Sequence, residues 1–453
     1  MTEPLDALRA PFESAGQGHV FAHVDRLGPG ERETFARELS AIDLDLVAKL
    51  GAKLAGGAAA AQSPSFEPPV VVRAGDGGEG QARALGEELL AAGKVGFVLV
   101  AGGQGSRLGF NGPKGAFEVG PVTSKTLFEW HAARILAAGA RHGFQPTWYI
   151  MTSRANDAET RAFFAGNGRF GFPEDDLFFF SQDMLPALDG EGRIVLAGPG
   201  EVFLAPDGHG GTLAALHQSG ALEHMQARGI EELSYFQVDN PLARPADPLF
   251  VGYHCAQGAE MSSKVVPKRD AAEKVGVLGL VDGVLGCIEY SDLSDELREA
   301  KAASGDLLFN AGNIAAHMIR RSFVERLNQG GALDLPWHIA RKELGAIDSS
   351  GAPTKIPGVK FETFVFDALA RAKACVTMEV ERAQEFSPVK NAEGSDSPAT
   401  CKADLSAIGR AISGLDDAVV EIDPRVAETL DEFNERAPVV QRTEGGALCA
   451  APQ

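Results

Sequence analysis

Between residues 101 and 115 the chain reads Ala101-Gly102-Gly103-Gln104-Gly105-Ser106-Arg107-Leu108-Gly109 and then, after three residues, Pro113-Lys114-Gly115. Glycines let main-chain N–H groups approach and ring an anion, because no Cβ stands in the way. Arg107 and Lys114 add the positive charge that would balance a departing pyrophosphate, so a nucleoside triphosphate suits this loop. An ATP-type P-loop requires Gly-Lys-Ser/Thr, whereas Lys114 follows Pro113 and precedes Gly115. A dinucleotide fingerprint needs a third glycine three residues after the second; after Gly103 and Gly105 that place holds Leu108. A plain glycine turn without function stays open.

Five other places carry suitable chemistry. Gln182 has a donor and an acceptor on one amide, which is what the edge of a uracil ring asks for; an ordinary polar residue beyond a strand is the alternative. Pro206-Asp207-Gly208-His209-Gly210-Gly211 is a second glycine-rich turn, opening a helix near Thr212, and helix N-termini favour anionic or polar ligands. Asp239 ends a strand and offers the hard oxygen that magnesium prefers, unless it caps the next turn, a loop shaped by Asn240 and Pro241. Glu289 and Asn313 supply an acceptor and a mixed donor/acceptor, usable on sugar hydroxyls but also as structural groups. Lys390 is a lone cation beyond a strand, by itself a solvent-exposed lysine.

These residues need a scaffold. The run Val95 to Ala101, apolar and rich in β-branched residues, is too short for a helix and suits a strand buried on both faces. Strand-like runs at Trp148 to Met151, Leu177 to Phe180 and Tyr235 to Val238 alternate with helical stretches at Thr126 to Ala137 and Gly211 to Met225. That alternation predicts a wound α/β sheet, whose ligands bind at the C-terminal strand ends. Gly276 to Tyr290, with Asp282-Gly283 at its middle, predicts a hairpin beside the sheet. Before the first strand come a helical region to about Leu50, a connector over 51–80 and a helix over 81–92 capped by Gly93. After Ala392 two weak amphipathic stretches precede an end, Glu444 to Gln453, expected to fray. The predicted division is 1–90, 91–392 and 393–453.

Composition narrows the class of partner. The chain has 453 residues, of which 44% are hydrophobic and 23% charged, an ordinary balance for a folded globular protein. A net charge of −20 speaks against a nucleic-acid surface. No stretch approaches a membrane span, and the first ten residues give no signal or transit peptide to read, so a cytoplasmic protein is expected. Five well-separated cysteines without CxxC spacing predict reduced structural thiols.

The run LVAGGQGSRLGFNGPKG, with TSKTLFEWHAARI close behind, resembles the signature of the eukaryotic-type UDP-N-acetylglucosamine pyrophosphorylases within the wider UDP-sugar pyrophosphorylase family. Further matches follow in family order from about residue 95 to 392, among them FFFSQDMLP, APDGHGGTLAAL, QVDNPLARPADPLF, IEYSDL, FNAGNIAAH, FETFVFDAL and VERAQEFSPVKN. The resemblance implies a Rossmann-like, GT-A-like mixed α/β sheet of the nucleotide-diphospho-sugar transferase kind, with a small helical N-terminal and a short C-terminal region. It implies uridylyl transfer from UTP to a sugar 1-phosphate, N-acetylglucosamine 1-phosphate first, with glucose 1-phosphate or a broad range as the alternative and an inactive sensor as the remote one. By the same resemblance UTP is met by Ala101, Gly102, Gly103, Gly105, Gln182, Pro206 and Gly208, and the sugar by His209, Gly210, Glu289 and Asn313. Mg²⁺ falls to Asp239, and catalysis to Arg107, Lys114 and Lys390. The family pattern usually has asparagine where this chain has His209, which makes that residue either a marker of altered sugar preference or a surface histidine without a role.

Overall fold

Val95, Phe97, Val98 and Leu99 are all buried, and the strand they form, Val95–Val100, has a parallel neighbour on each side. A strand covered on both faces must be apolar on both, and so it reads as a continuous run. Trp148–Thr152 lies on one side, with Leu177–Ser181 parallel beyond it, and Glu232–Gln237 lies on the other. Ala311–Arg320 then joins Glu232–Gln237 antiparallel, which makes the sheet mixed. Met261–Pro267 pairs antiparallel with Ala311–Arg320 and parallel with Cys375–Glu379. The expected hairpin is present as Val277–Val281 and Val284–Ile288, turning on Asp282 and Gly283 with φ of 50° and 78°, the left-handed pair that a tight hairpin turn requires. It is part of the sheet rather than beside it, through Val277 opposite Gly312. With Phe66–Glu67 at the edge, ten strands form this sheet among the described residues.

The structure is a computed structural model and describes residues 5–56, 64–290, 292–330, 333–416 and 418–449. The chain divides into two compact units. One comprises 65–182, 212–334 and 366–453 and contains the large sheet. The other comprises 1–64, 183–211 and 335–365. In it the helices Leu5–Ser14, Pro29–Ser40 and Leu44–Ala55 bury Phe12, Phe35, Leu39 and Leu50 in one core with Leu188, Ile194, Val359 and Phe361. The last four come from or adjoin a three-stranded sheet of His338–Ile347, Pro353–Glu362 and Leu188–Asp189.

Several local expectations are met with altered bounds. The helix before the first strand is Glu79–Ala91, and Gly93 ends it in a left-handed conformation, its N–H donating to Leu90 O. Thr126 caps the helix Leu127–His142 in a reciprocal pair with Glu129. The helix expected over 211–225 is two, Gly211–Gln218 and Ala221–Ala227, because Gly220 takes a φ of 78° between them. The connector expected over 51–80 begins inside Leu44–Ala55 and contributes Phe66–Glu67 to the sheet; its residues 57–63 lie outside the described ones. The expected fraying of the end is not found over Gly446–Cys449, a strand parallel to Val420–Ile422 that buries Ala447 and Cys449; residues 450–453 lie outside the described ones. The five cysteines are free.

Candidate active site

In the unit of the large sheet, the glycine-rich loop leaves the strand Val95–Val100 and folds back on itself. Gly105 N–H donates to Gly112 O at 2.9 Å and Lys114 N–H to Gly103 O at 3.1 Å, so Lys114 returns to the loop's base beside the strand end. Asn156, 1% exposed, holds that base from outside: its Nδ2 donates to Ala101 O at 2.9 Å and to Gly103 O at 3.2 Å. Arg107, in a single helical turn over Ser106–Leu108, is exposed. Gln182 is buried, and a Cβ placed on Gly102 would stand 2.9 Å from its Oε1, so glycine at 102 is what admits that amide. Ala101, Gly102, Gly103, Gly105 and Gln182 are thus gathered around the ends of neighbouring parallel strands, where α/β sheets take ligands.

Asp239 follows the strand Glu232–Gln237 and does not cap the next turn. Its Oδ2 accepts from Lys114 Nζ at 2.9 Å, with the two side chains 13% and 16% exposed. The turn is held instead by Asn240, whose Oδ1 accepts from Leu242 N–H. Beneath, His131 is wholly buried and its Nε2 donates to Val238 O at 3.0 Å; burial lowers its pKa to about 4, so this imidazole stays neutral and cannot compete as a cation. Val389 N–H donates to Asp239 O at 2.8 Å, which brings the segment carrying Lys390 to the same strand end. Lys390 is exposed, its Nζ 5.6 Å from the Phe386 ring centroid.

Glu289 and Asn313 form a second group in the same unit. Asn313 stands just before an irregularity in the pairing of Ala311–Arg320 with Met261–Pro267, a bulge of the kind that re-aims a side chain. Its Nδ2 lies 3.9 Å from Cys287 Sγ, two residues before Glu289. Gly276 faces both: a Cβ there would stand 2.8 Å from Cys287 Sγ and 3.4 Å from Glu289 Oε1.

Pro206, Gly208, His209 and Gly210 belong to the other unit. Their turn is built against residues 363–365. Gly208 has a φ of 87°, and a Cβ on it would meet Thr363 O at 2.4 Å. Gly210 N–H donates to Thr363 O, and Thr363 N–H to Asp207 O. His209 Nδ1 accepts from Val365 N–H at 3.2 Å and its ring stacks on Phe364. This fixes the tautomer with the proton on Nε2. Asp207 is 5% exposed with its Oδ1 unpaired, and burial, then the charge of Asp183, raises its pKa to about 7.

Sequence reading missed Asn156 and His131. An asparagine shortly after a strand, at the start of the helix Asp157–Gly166, is a legible capping signal, but its bonds to the glycine loop are tertiary. His131 sits mid-helix and nothing local marks it.

No group of three or more His, Cys, Asp or Glu side chains that could hold a metal is found among the described residues. Magnesium is commonly held by one or two carboxylates together with substrate phosphates, and Asp239 beside the glycine-rich loop fits that donor set.

The family model for UTP–glucose-1-phosphate uridylyltransferases matches residues 81–397. The chain is 37% identical over 418 residues to the UDP-N-acetylhexosamine pyrophosphorylase-like protein 1 of Homo sapiens, covering 87% of this chain and 82% of that protein. It is 36% identical over 374 residues to the UDP-N-acetylglucosamine pyrophosphorylase of Saccharomyces cerevisiae, covering 77% and 78%. The crystal structure of the uridine diphosphate N-acetylglucosamine pyrophosphorylase of Trypanosoma brucei in complex with an inhibitor superposes with a TM-score of 0.82 at 26% identity, covering 96% of this chain and 95% of that one. A glycine-rich loop at the end of a buried parallel strand, a lysine returned to an aspartate at the next strand end, and these similarities agree, and the chain belongs to the UTP–glucose-1-phosphate uridylyltransferase family.

Proposed function

We propose that this chain transfers the uridylyl group of UTP to N-acetylglucosamine 1-phosphate, yielding UDP-N-acetylglucosamine and pyrophosphate. The observation that carries this reading is the similarity, over most of both chains, to a yeast UDP-N-acetylglucosamine pyrophosphorylase. The phosphate oxygen of the sugar attacks the α-phosphorus; the bond from that phosphorus to the bridging oxygen breaks, and pyrophosphate leaves with the electron pair. Residues 91–392 are assigned the catalytic work. Ala101, Gly102, Gly103 and Gly105 ring the phosphates, Gln182 reads the uracil edge, and Arg107, Lys114 and Lys390 balance the charge that grows on the leaving group. Pro206 and Gly208 are assigned to UTP, and His209, Gly210, Glu289 and Asn313 to the sugar. Magnesium held by Asp239 and the phosphate oxygens would supply further neutralisation of that charge.

No helix among the described residues is long and apolar enough to cross a membrane, and a cytoplasmic place of work is part of the proposal. The test is a panel: purified chain, magnesium and UTP with the 1-phosphates of N-acetylglucosamine, glucose and galactose, reading pyrophosphate release. The highest kcat/KM is expected with N-acetylglucosamine 1-phosphate. A higher value with glucose 1-phosphate overturns the sugar assignment, and no release with any of them overturns the activity. Full turnover in excess chelator removes the metal, and equal rates with ATP remove Gln182 from the base.

A further inference from the structure

We propose that Asn240 is a positioning residue, a brace that fixes Asp239 relative to the segment carrying Lys390; this rests on the roles proposed above for those two side chains. Asn240 is 4% exposed. Its Nδ2 donates to Glu385 O at 2.7 Å, and its Oδ1 accepts from Ser387 N–H at 3.0 Å and Leu242 N–H at 3.3 Å. The partners fix the orientation of the amide, since turning it over would set NH₂ against two N–H groups and oxygen against a carbonyl. One side chain thus joins the turn that begins at Asp239 to the segment that ends at Lys390. A main-chain bond runs alongside, from Val389 N–H to Asp239 O at 2.8 Å.

The far ends of the same two stretches are fastened by a buried ion group. Lys264 is 1% exposed and its Nζ stands 2.6 Å from Glu385 Oε2 and 2.7 Å from Asp247 Oδ2. Asp247 closes the loop that Asp239 opens, and Glu385 begins the run that reaches Lys390. Two stretches 145 residues apart are therefore joined at both ends. The brace lies close to the reacting groups: Asn240 is the neighbour of Asp239, and Ser387 is three residues from Lys390. Neither Asn240 nor Lys264 is assigned contact with substrate. What the brace sets is the spacing of a carboxylate and an ammonium that act on the same phosphates, and displacements on the order of 1 Å cost about 100-fold in positioned catalysis.

The experiment combines kinetics with amide hydrogen exchange on the full chain. Asn240→Ala should lower kcat by about 10- to 100-fold while the KM for UTP stays within about threefold. The loss should be less than additive with Lys390→Ala, and additive with Gln182→Ala, whose assigned role is the base. Exchange should quicken at the amides of Ser387, Val389 and Lys390 and stay unchanged over 95–100. Where Asn240→Ala fails to fold, Asn240→Asp serves, keeping an acceptor for Ser387 and Leu242 while giving up the donor to Glu385 O. Unchanged exchange at 387–390 in a folded Asn240 variant overturns the brace. So does wild-type kcat in that variant when Asp239→Asn and Lys390→Ala are both impaired. If those two variants themselves turn over normally, the proposed site is what fails, and the exchange data still decide whether the brace exists.

Discussion

Lys114 Nζ lies 2.9 Å from Asp239 Oδ2 although 125 residues separate them in sequence. The contact is made by two loops that leave adjacent parallel strands, so it is a property of the sheet order. In the role proposed for it, Lys114, oriented by this carboxylate beside the glycine-rich loop, meets charge that grows in the transition state. Lys114→Ala should therefore lower kcat by about 100- to 1,000-fold, by analogy with the loss of one oxyanion donor, and change the KM for sugar phosphate far less. Steady-state kinetics check this, and an unchanged kcat would move Lys114 out of the active site.

The geometry around His209 gives a specificity prediction. Its Nδ1 accepts from Val365 N–H, which places the ring proton on Nε2, on a bulky, rigid ring. Asparagine in its place offers an amide with both a donor and an acceptor. His209→Asn should shift the kcat/KM ratio of N-acetylglucosamine 1-phosphate to glucose 1-phosphate by a few-fold to about tenfold, the worth of one neutral hydrogen bond. Equal ratios in the two proteins would make the histidine neutral and send the search to Glu289 and Asn313.

Asp207 gives a prediction about pH. Burial raises its carboxyl to about 7, above an unfolded value of about 3.9, so the folded chain prefers it protonated. Its contribution is fully present below about pH 4 and is lost as pH rises through about 7. Asp207→Asn removes that loss, so the variant should gain on the order of 2 kcal/mol over the wild type between pH 5 and pH 8. Denaturant unfolding at the two pH values reads the difference, and parallel pH profiles would show that Asp207 is solvated.

Glu421 is fully buried and its carboxylate accepts from Val122 N–H, Thr123 N–H, the Thr123 hydroxyl and Lys125 Nζ. Its removal would take the acceptor from Val122 N–H and both Thr123 donors, while Lys125 keeps Asp423 Oδ2 at 3.0 Å. Glu421→Ala should cost about 1–3 kcal/mol in unfolding free energy, and Glu421→Gln, which keeps an acceptor, less. Equal losses for the two would mean that charge and shape matter more than the count of acceptors.

What local sequence could announce was announced. Val95–Val100 is apolar because both faces are covered, Asp282-Gly283 is a turn because its backbone is left-handed at both positions, and the glycine loop needs glycine at 102 because Gln182 packs there. Gln182, Asp239 and Lys390 are singled out only by the family likeness, since each alone reads as a common surface or capping residue, and their roles stay proposals. Asn156 and His131 stayed hidden because their partners, Ala101 O and Val238 O, lie 55 and 107 residues away. Gly220 sits inside an apolar stretch that reads as one helix, although its left-handed backbone splits that stretch into two.

The core that joins the first helices to Leu188, Ile194, Val359 and Phe361 bears on how the chain is made. Phe12, Phe35 and Leu50 leave the ribosome about 300 residues before Phe361 does. At roughly 5–20 residues per second, their apolar faces wait on the order of 15–60 s for the last of their partners. Nascent chains arrested shortly before residue 359 should therefore hold these helices open to protease, and to any chaperone that binds apolar helices, whereas chains arrested well past residue 365 should not.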